Sequence, residues 1–273
     1  MDQGRPSPSG FDAYAPAEIA NRVESAGVAK VRQRPLTTFT LAVLAGAYIG
    51  FGVVAYTIVV TESALGWGPT RLLGGAAFSL GLVLVIVAGA ELFTGNALIV
   101  LGWADHKIRL TELLRNWVIV YAGNLVGALG TALLVILSGI LELRGGAVGA
   151  EAAAIASGKL QLTPTETFFR GVLCNVLVCL AVWLSFAARS LTDKVLAVLI
   201  PVSAFVVSGF EHSVANMYAI PIAMLGGLIE PDWLGFFINL AVVSAGNILG
   251  GGVLVALAYW AVYIRGGDQP RPL

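Results

Sequence analysis

The chain has 273 residues, of which 58% are hydrophobic and 12% are charged, and its mean hydropathy is +0.86. A soluble domain of this size carries about twice that charged fraction, so the composition excludes an ordinary soluble protein and indicates an integral membrane protein. The formal net charge is zero, which gives no reason to expect a nucleic acid or another polyanion as a partner. Because no apolar segment precedes Phe39, we expect no cleavable signal peptide.

Six apolar segments are predicted as membrane spans, since a helix needs about 20 apolar residues to cross the hydrocarbon core. In chain order they cover residues 39–60, 72–103, 116–140, 171–188, 195–229 and 233–264. Lys and Arg are distributed unevenly over the joints, with twelve on one side of the predicted bilayer and four on the other. The positive-inside rule therefore places both termini in the cytoplasm.

The residues before the first span are predicted to form an amphipathic helix over 16–34 that lies in the membrane interface. Ile19, Val23 and Ala26 fall on one face of this helix, and Arg22 and Lys30 belong to its polar remainder. This pattern is typical of interfacial helices. The predicted organisation is an N-terminal cytoplasmic segment (1–35), a six-helix transmembrane domain (36–265) and a cytoplasmic tail (266–273).

Segments 72–103 and 195–229 are too long for one span and too short for two, and each has a polar cluster at its centre. Glycine-interrupted apolar segments at matching positions of two halves point to a transport site. Three spans per half is an odd number, so the sequence predicts an all-α inverted 3+3 repeat in which helices 2 and 5 are broken. The matching residues are Gly89, Glu91 and Asn96 with Gly209, Glu211 and Asn216 at an offset of 120, and Ala122–Gly127 with Ala245–Gly250 at an offset of 123.

Ionisable side chains inside a span are costly and usually face the pathway. The two glutamates at the breaks, Glu91 and Glu211, follow a glycine in symmetric positions. This favours a structural role, in which the carboxylates accept backbone N–H bonds, over direct contact with a solute. His212 has no counterpart, since the aligned residue is Leu92, and it is the group there that can become cationic near neutral pH. We predict that His212 lines the pathway, and that Gly89, Glu91 and Gly209 hold the breaks.

The sequence argues against an enzyme and against a cofactor or metal site. It has no His/Cys set with metal-ligand spacing and no Ser/His/Asp grouping. Cys174 and Cys179 are five residues apart, and we expect them to be small buried hydrophobic residues rather than a disulfide or metal pair. A water or glycerol channel would share the repeat, but the breaks carry no Asn-Pro-Ala pair.

Three strings at the breaks carry a resemblance: Ala90-Glu-Leu-Phe-Thr-Gly-Asn96, Gly209-Phe-Glu-His-Ser-Val-Ala-Asn-Met217 and Gly246-Asn-Ile-Leu-Gly-Gly251. They resemble the formate/nitrite transporter family, as do residues 175–190, which look like that family's fourth span. The resemblance extends from about Phe11 to Arg265. It implies an aquaporin-like protomer in the cell's inner membrane, a homopentamer, and one pathway per protomer for a small monovalent anion. Formate is expected first and nitrite next, with hydrosulfide or a neutral solute as alternatives, and passive conduction and proton coupling both stay open.

The resemblance also assigns site residues. His212 matches the family's central histidine, Thr94 lies in the loop that breaks the second span, and Lys159 matches a lysine that makes the outer vestibule electropositive. The sequence Thr94-Gly95-Asn96 departs from formate channels that have Ser-Thr after the threonine, which leaves the subtype open. The predicted pathway residues are His212, Thr94, Asn175, Asn247, Lys159, Glu211 and Asn216, and the apolar constrictions are assigned to Phe78, Leu82, Phe93 and Phe205.

Overall fold

The computed structural model describes residues 12–265, and these are all-helical apart from turns and connecting segments. The first part of the predicted N-terminal segment and the predicted tail over 266–273 lie outside the described residues. We number ten helices in this range and treat contiguous helical segments as one. They are α1 (Pro16–Val31), α2 (Pro35–Val60), α3 (Trp67–Ala88), α4 (Gly95–Ala104), α5 (Leu110–Leu137), α6 (Ala147–Leu160), α7 (Pro164–Ala187), α8 (Leu191–Val207), α9 (Ser213–Leu225) and α10 (Trp233–Tyr263).

Five of these helices, α2, α3, α5, α7 and α10, are long and apolar enough to cross a membrane, whereas α4 and α9 are shorter apolar helices. The prediction of an all-helical membrane protein is therefore confirmed. Helix α10 contains a π-helical stretch at Leu249–Leu257, and a single 3-10 turn at Ile140–Glu142 follows α5.

Helices α2, α3, α5, α7 and α8 begin four to seven residues before the apolar segments predicted from the sequence, whereas α10 begins at Trp233 as predicted. The helix starts differ from the starts of the apolar segments because a helix begins at its capping residue and tolerates charged side chains in its first turn. An apolar segment, in contrast, begins only after the last charged side chain. At α7, for example, the Thr163 hydroxyl accepts the Glu166 N–H, and the Glu166 carboxylate accepts the Thr163 N–H at 2.9 Å. Pro164 then occupies the first helical position.

Helix α6 lies in the region predicted as a polar joint, residues 141–170. Helix α6 has 14 residues and is rich in Ala and Gly. It is too short to be recognised in the sequence as a membrane span. Lys159 lies in its last turn, which places this lysine on a helix rather than in a solvated loop.

Helix α1 lies where an amphipathic helix was predicted, but its apolar face contacts protein. Ile19 and Val23 are buried in a cluster that includes Ile99 and Leu101 of α4. A salt bridge of 2.5 Å between Glu24 and Lys107 joins α1 to the turn after α4. The prediction that this face lies in the membrane interface is wrong, because the surface of α4 covers it.

Two glycines with positive φ mark the ends of α3 and α8. Gly89 has φ +79° and Gly209 has φ +69°, a conformation that glycine adopts without the steric cost of a side chain. Residues 89–94 and 208–212 are not helical, and α4 and α9 begin after them.

The helices beside these segments approach closely. A Cβ atom on Gly127 of α5 would lie 1.9 Å from the Val43 carbonyl oxygen of α2, and one on Gly250 of α10 would lie 2.1 Å from the Val172 carbonyl oxygen of α7. Small residues allow such backbone contact between membrane helices. This contact brings the asparagines of α5 and α10 within reach of the non-helical segments.

Candidate functional site

The side chain of Asn124 on α5 binds the non-helical segment that follows α3. Its Oδ1 accepts the N–H of Phe93 at 2.9 Å, and its Nδ2 donates to the carbonyls of Ala42 at 2.8 Å and Glu91 at 2.9 Å. Asn124 is fully buried. It therefore satisfies the Phe93 N–H and the Glu91 carbonyl, which lie outside any helix and would be costly if left unpaired.

Asn247 on α10 makes the equivalent three hydrogen bonds in the other half of the chain. Its Oδ1 accepts the N–H of Ser213 at 3.0 Å, and its Nδ2 donates to the carbonyls of Gly171 at 2.8 Å and Glu211 at 3.1 Å. The Asn247 carbonyl in turn accepts a bond of 2.6 Å from Nδ2 of Asn175. Asn175 and Asn247 are fully buried, so the structure gives the amide of Asn247 backbone partners, a role that the sequence did not predict for it.

Glu91, in the segment after α3, is bound by the side chains of a lysine and an asparagine. Lys30 Nζ lies 3.1 Å from Glu91 Oε1 and donates to Asn96 Oδ1 at 2.8 Å. Asn96 Nδ2 donates to Glu91 Oε2 at 2.7 Å and to Asn116 Oδ1 at 3.0 Å. The carboxylate is buried, and the ammonium group compensates its charge.

Glu211, in the segment after α8, has the matching environment. Lys159 Nζ donates to both carboxylate oxygens of Glu211, at 3.0 and 3.1 Å. Asn216 Nδ2 donates to Glu211 Oε2 at 2.7 Å and to Asn239 Oδ1 at 2.8 Å. Lys159 is therefore ion-paired with Glu211. A vestibule made electropositive by Lys159 alone would require an unpaired lysine.

These two clusters correct the prediction that Glu91 and Glu211 accept backbone N–H bonds, since the donors are lysine and asparagine side chains. They also show that Lys30, which was predicted to belong to the polar face of α1, is the ion-pair partner of Glu91.

The spacing of the sequence could have identified this role of Lys30. Lys30 and Lys159 are 129 residues apart, as are Pro35 and Pro164 at the starts of α2 and α7. The same spacing relates α1 to α6, which were not recognised as equivalent.

Two cavities approach the centre of the molecule. The first, here the Lys159 cavity, has a volume of about 370 Å³ and is lined by Lys159 and Glu211 together with Phe78, Phe205 and His212. The rings of Phe78 and Phe205 are in edge contact with centroids 5.6 Å apart. This places two of the four predicted constriction residues beside His212.

The second, here the Lys30 cavity, has a volume of about 460 Å³ and is lined by Lys30 and Glu91 together with Leu82 and Leu92. Phe93 does not line it. Its ring packs against Tyr121, with centroids 4.9 Å apart, and against Trp117. Leu82 and Leu92 therefore line this cavity, whereas the side chain of Phe93 points towards α5, and a constriction at Phe93 stays a prediction.

His212 lines the Lys159 cavity, and Thr94 lies between Leu92 and Gly95, which line the Lys30 cavity. His212 Nε2 lies 2.9 Å from Thr94 Oγ1, and both residues are buried. The other ring nitrogen, Nδ1, accepts the N–H of Ala215 at 3.1 Å, so Nδ1 carries the lone pair and Nε2 carries the hydrogen. The Phe205 ring is stacked on the imidazole with centroids 6.1 Å apart. The region between the cavities therefore offers one imidazole N–H and one hydroxyl among apolar rings.

A protein of long apolar helices, with two cavities that each hold a lysine–glutamate pair and with a buried histidine lining one of them, has the arrangement of a channel or transporter. Comparison with known proteins agrees. Residues 17–261 match the family described as "Formate/nitrite transporter", and the chain belongs to this family.

Relatives and solved structures are similar over nearly the whole chain. The formate channel FocA of Escherichia coli strain K12 is 42% identical, with 95% of this chain and 98% of the relative covered. A probable formate transporter of Methanothermobacter thermautotrophicus is 40% identical over 93% of this chain and 96% of its own length. A solved structure described as a pentameric formate channel with formate bound has a TM-score of 0.79 at 42% identity, covering 85% of this chain and 98% of that one. Another, an FNT family ion channel, has a TM-score of 0.81 at 33% identity, covering 90% and 98%.

Proposed function

We propose that this protein is a formate channel with six membrane spans, arranged as an inverted 3+3 repeat in which the second and fifth spans are broken. The second span would consist of α3, residues 89–94 and α4, and the fifth of α8, residues 208–212 and α9. Unpaired backbone at membrane depth is tolerated where protein satisfies it. The amides of Asn124 and Asn247 do so with equivalent bonds.

The repeat explains why helices α1 to α5 correspond to α6 to α10. Each half has a short helix ending near a lysine, a long helix that starts at proline, an interrupted helix, and a long helix that carries the asparagine. Three crossings per half place the halves in opposite orientations. We propose that the Lys30 cavity and both termini face the cytoplasm, and that the Lys159 cavity faces outward, as the distribution of Lys and Arg favours.

The solute and the assembly are proposed from the relatives. Formate channels at 34–42% identity and a pentameric formate channel with formate bound support a homopentamer that passes formate, with nitrite as the second solute. The observation in this chain that carries the proposal is the 2.9 Å contact between His212 Nε2 and Thr94 Oγ1, because it places an imidazole N–H and a hydroxyl, which a formate ion would engage in place of each other, between the residues that line the two cavities.

The mechanism follows from the cost of dehydrating an anion. Formate would lose water at Phe78 and Phe205 on one side and at Leu82 and Leu92 on the other, which is costly unless donors replace that water. The Nε2–H of His212 and the Thr94 hydroxyl are the donors at this place. The two lysine–glutamate pairs lie on either side of it, so neither lysine adds an uncompensated charge to its cavity.

Proton coupling at His212 has a geometric requirement. A neutral imidazole has its hydrogen on Nε2, and giving that hydrogen to formate would leave an anionic ring. Nδ1 must therefore accept a proton first and give up its bond with the Ala215 N–H. The imidazolium could then donate from Nε2, leave a neutral ring with its hydrogen on Nδ1, and release formic acid, which crosses an apolar constriction more readily than the anion.

The proposed function is tested by uptake of labelled formate, nitrite and hydrosulfide into proteoliposomes at several pH values, with glycerol-induced swelling measured in parallel. We expect formate uptake to exceed nitrite uptake and expect no swelling in glycerol beyond that of empty liposomes. Swelling in glycerol without uptake of any of the three anions would contradict the proposal and favour a channel for neutral solutes.

A further inference from the structure

Two arginines of the Lys159 cavity form no ion pair with the described residues 12–265. Arg71 on α3 donates from Nη2 to the Val206 carbonyl at 2.9 Å and from Nη1 to the Tyr56 hydroxyl at 3.2 Å. Arg170 on α7 has one long hydrogen bond, 3.5 Å from Nη1 to the Gly209 carbonyl. Both arginines line the cavity, so their charges face it without a carboxylate partner.

The two guanidinium groups lie beside the same residue. A Cβ atom on Gly209 would be 3.3 Å from Nη2 of Arg71 and 4.0 Å from Nη1 of Arg170. Two like charges this close repel each other unless an anion or a dipole lies near both. The carbonyls at the end of α8 supply part of that compensation.

The remaining charges of the cavity do not neutralise the arginines. The ammonium group of Lys159 is paired with Glu211, so these two charges cancel. Glu151 of α6 also lines the cavity but forms no ion pair with Arg71 within the part of the chain described. Its burial raises the pKa of its carboxyl group, and the charge of Arg71 lowers it by less.

One donor of the pair has no partner at all. Nε of Arg71 is buried and makes no hydrogen bond, so the donors of Arg71 that a ligand in the cavity can reach belong to its Nη groups. A guanidinium group presents its donors in a planar fork that matches the two oxygens of a carboxylate, whereas a spherical anion cannot engage the fork in the same way. A volume of about 370 Å³ also leaves room for a ligand larger than formate.

We propose that Arg71 and Arg170 form a carboxylate-binding site in the Lys159 cavity, beside the segment between α8 and α9. Its place in transport, as the site where a carboxylate is held before it reaches His212, rests on the proposed function. Binding of a carboxylate by the two arginines does not depend on that function. The site selects planar carboxylates over spherical anions, and it accepts acetate as well as formate even if only the smaller one crosses.

The test uses the full-length protein in nanodiscs, with formate and acetate as probes and binding followed by saturation-transfer NMR. Arg71→Gln and Arg170→Gln should each weaken binding of both probes about tenfold, because each removes a charge-assisted pair of hydrogen bonds. Arg144→Gln is the matched control, since Arg144 is exposed and paired with Glu62 outside the cavity, and it should bind as the wild type does. Glu151→Gln removes the opposing charge and should strengthen binding.

Arg170→Lys keeps the positive charge but loses the planar set of guanidinium donors. It replaces Arg170→Gln if that variant does not fold. We expect it to bind the probes more weakly than the wild type and more tightly than the glutamine variants. Equal binding by the wild type, Arg71→Gln and Arg170→Gln would overturn the site, as would an equal loss in Arg144→Gln. Proteoliposomes distinguish this site from the proposed function. With formate added on the Lys159 side, the variants should raise the apparent KM and leave the saturated rate unchanged. A wild-type protein that binds formate at the arginines but does not transport it would contradict the proposed function and leave the site intact.

Discussion

Replacing Lys159 with methionine tests the ion pair that the structure places in the Lys159 cavity. The methionine keeps the apolar stem but leaves the Glu211 carboxylate, whose side chain is 6% exposed, without its cation. Removing one partner of a buried pair costs about 3–5 kcal/mol. Because the lysine side chain is 18% exposed and Asn216 keeps its bond to the carboxylate, we expect about 3 kcal/mol.

A double-variant cycle isolates the pair. Glu211→Gln removes the charge that Lys159→Met leaves unpaired, so the double variant should regain most of the lost unfolding free energy. The assays are thermal unfolding in detergent and formate uptake at low ionic strength. Uptake should fall in Lys159→Met, where the lone carboxylate repels the anion, and should recover partly in the double variant. If Lys159→Met and the double variant were equally destabilised, the stabilising role of the pair would be refuted.

Two further predictions concern buried hydrogen bonds and a buried ion pair. Asn247→Leu should lower the free energy of unfolding by at least about 3 kcal/mol, because three buried backbone groups each lose a bond worth about 1 kcal/mol or more; Asn124→Leu should do the same, and a stable variant at either position would contradict the shared role. Lys107→Met should make α1 sensitive to protease by leaving the buried carboxylate of Glu24 unpaired, whereas Arg109→Met, whose partner carboxylate is more exposed, should leave cleavage unchanged. Equal cleavage of both variants would show that the Glu24 pair does not hold α1.

The sequence predicted those features that depend on local composition. Apolar length located the membrane helices, and the Gly-Glu-Asn pattern located both non-helical segments because glycine with positive φ ends a helix wherever it falls. Helix starts were placed late, since charged side chains such as Arg71 lie inside the first turns and interrupt the apolar segment without interrupting the helix.

Features that depend on distant contacts were missed. Lys30 looked like one more basic residue on an amphipathic helix, and nothing local shows that its ammonium group reaches Glu91. The amphipathic pattern of α1 gave its buried face but not the partner, which is α4. Phe93 packs against α5 while its neighbour Leu92 lines the Lys30 cavity, a difference that spacing could not show because residues 89–94 have no helical periodicity.

The central claim is that the anion passes between the two cavities at His212 and Thr94. The most direct measurement is formate uptake by proteoliposomes at several pH values between about 5 and 8, for the wild type, His212→Asn and His212→Phe. His106→Asn is the control, since His106 is the other of the two histidines in the chain and lies exposed in the turn after α4.

We predict that His212→Phe folds and loses uptake, because apolar bulk replaces the Nε2–H that faces Thr94. His212→Asn should conduct with a flatter dependence on pH, since its amide can donate a hydrogen bond but does not titrate, and His106→Asn should match the wild type. Wild-type uptake by folded His212→Phe at every pH would contradict the claim that the pathway runs past this histidine.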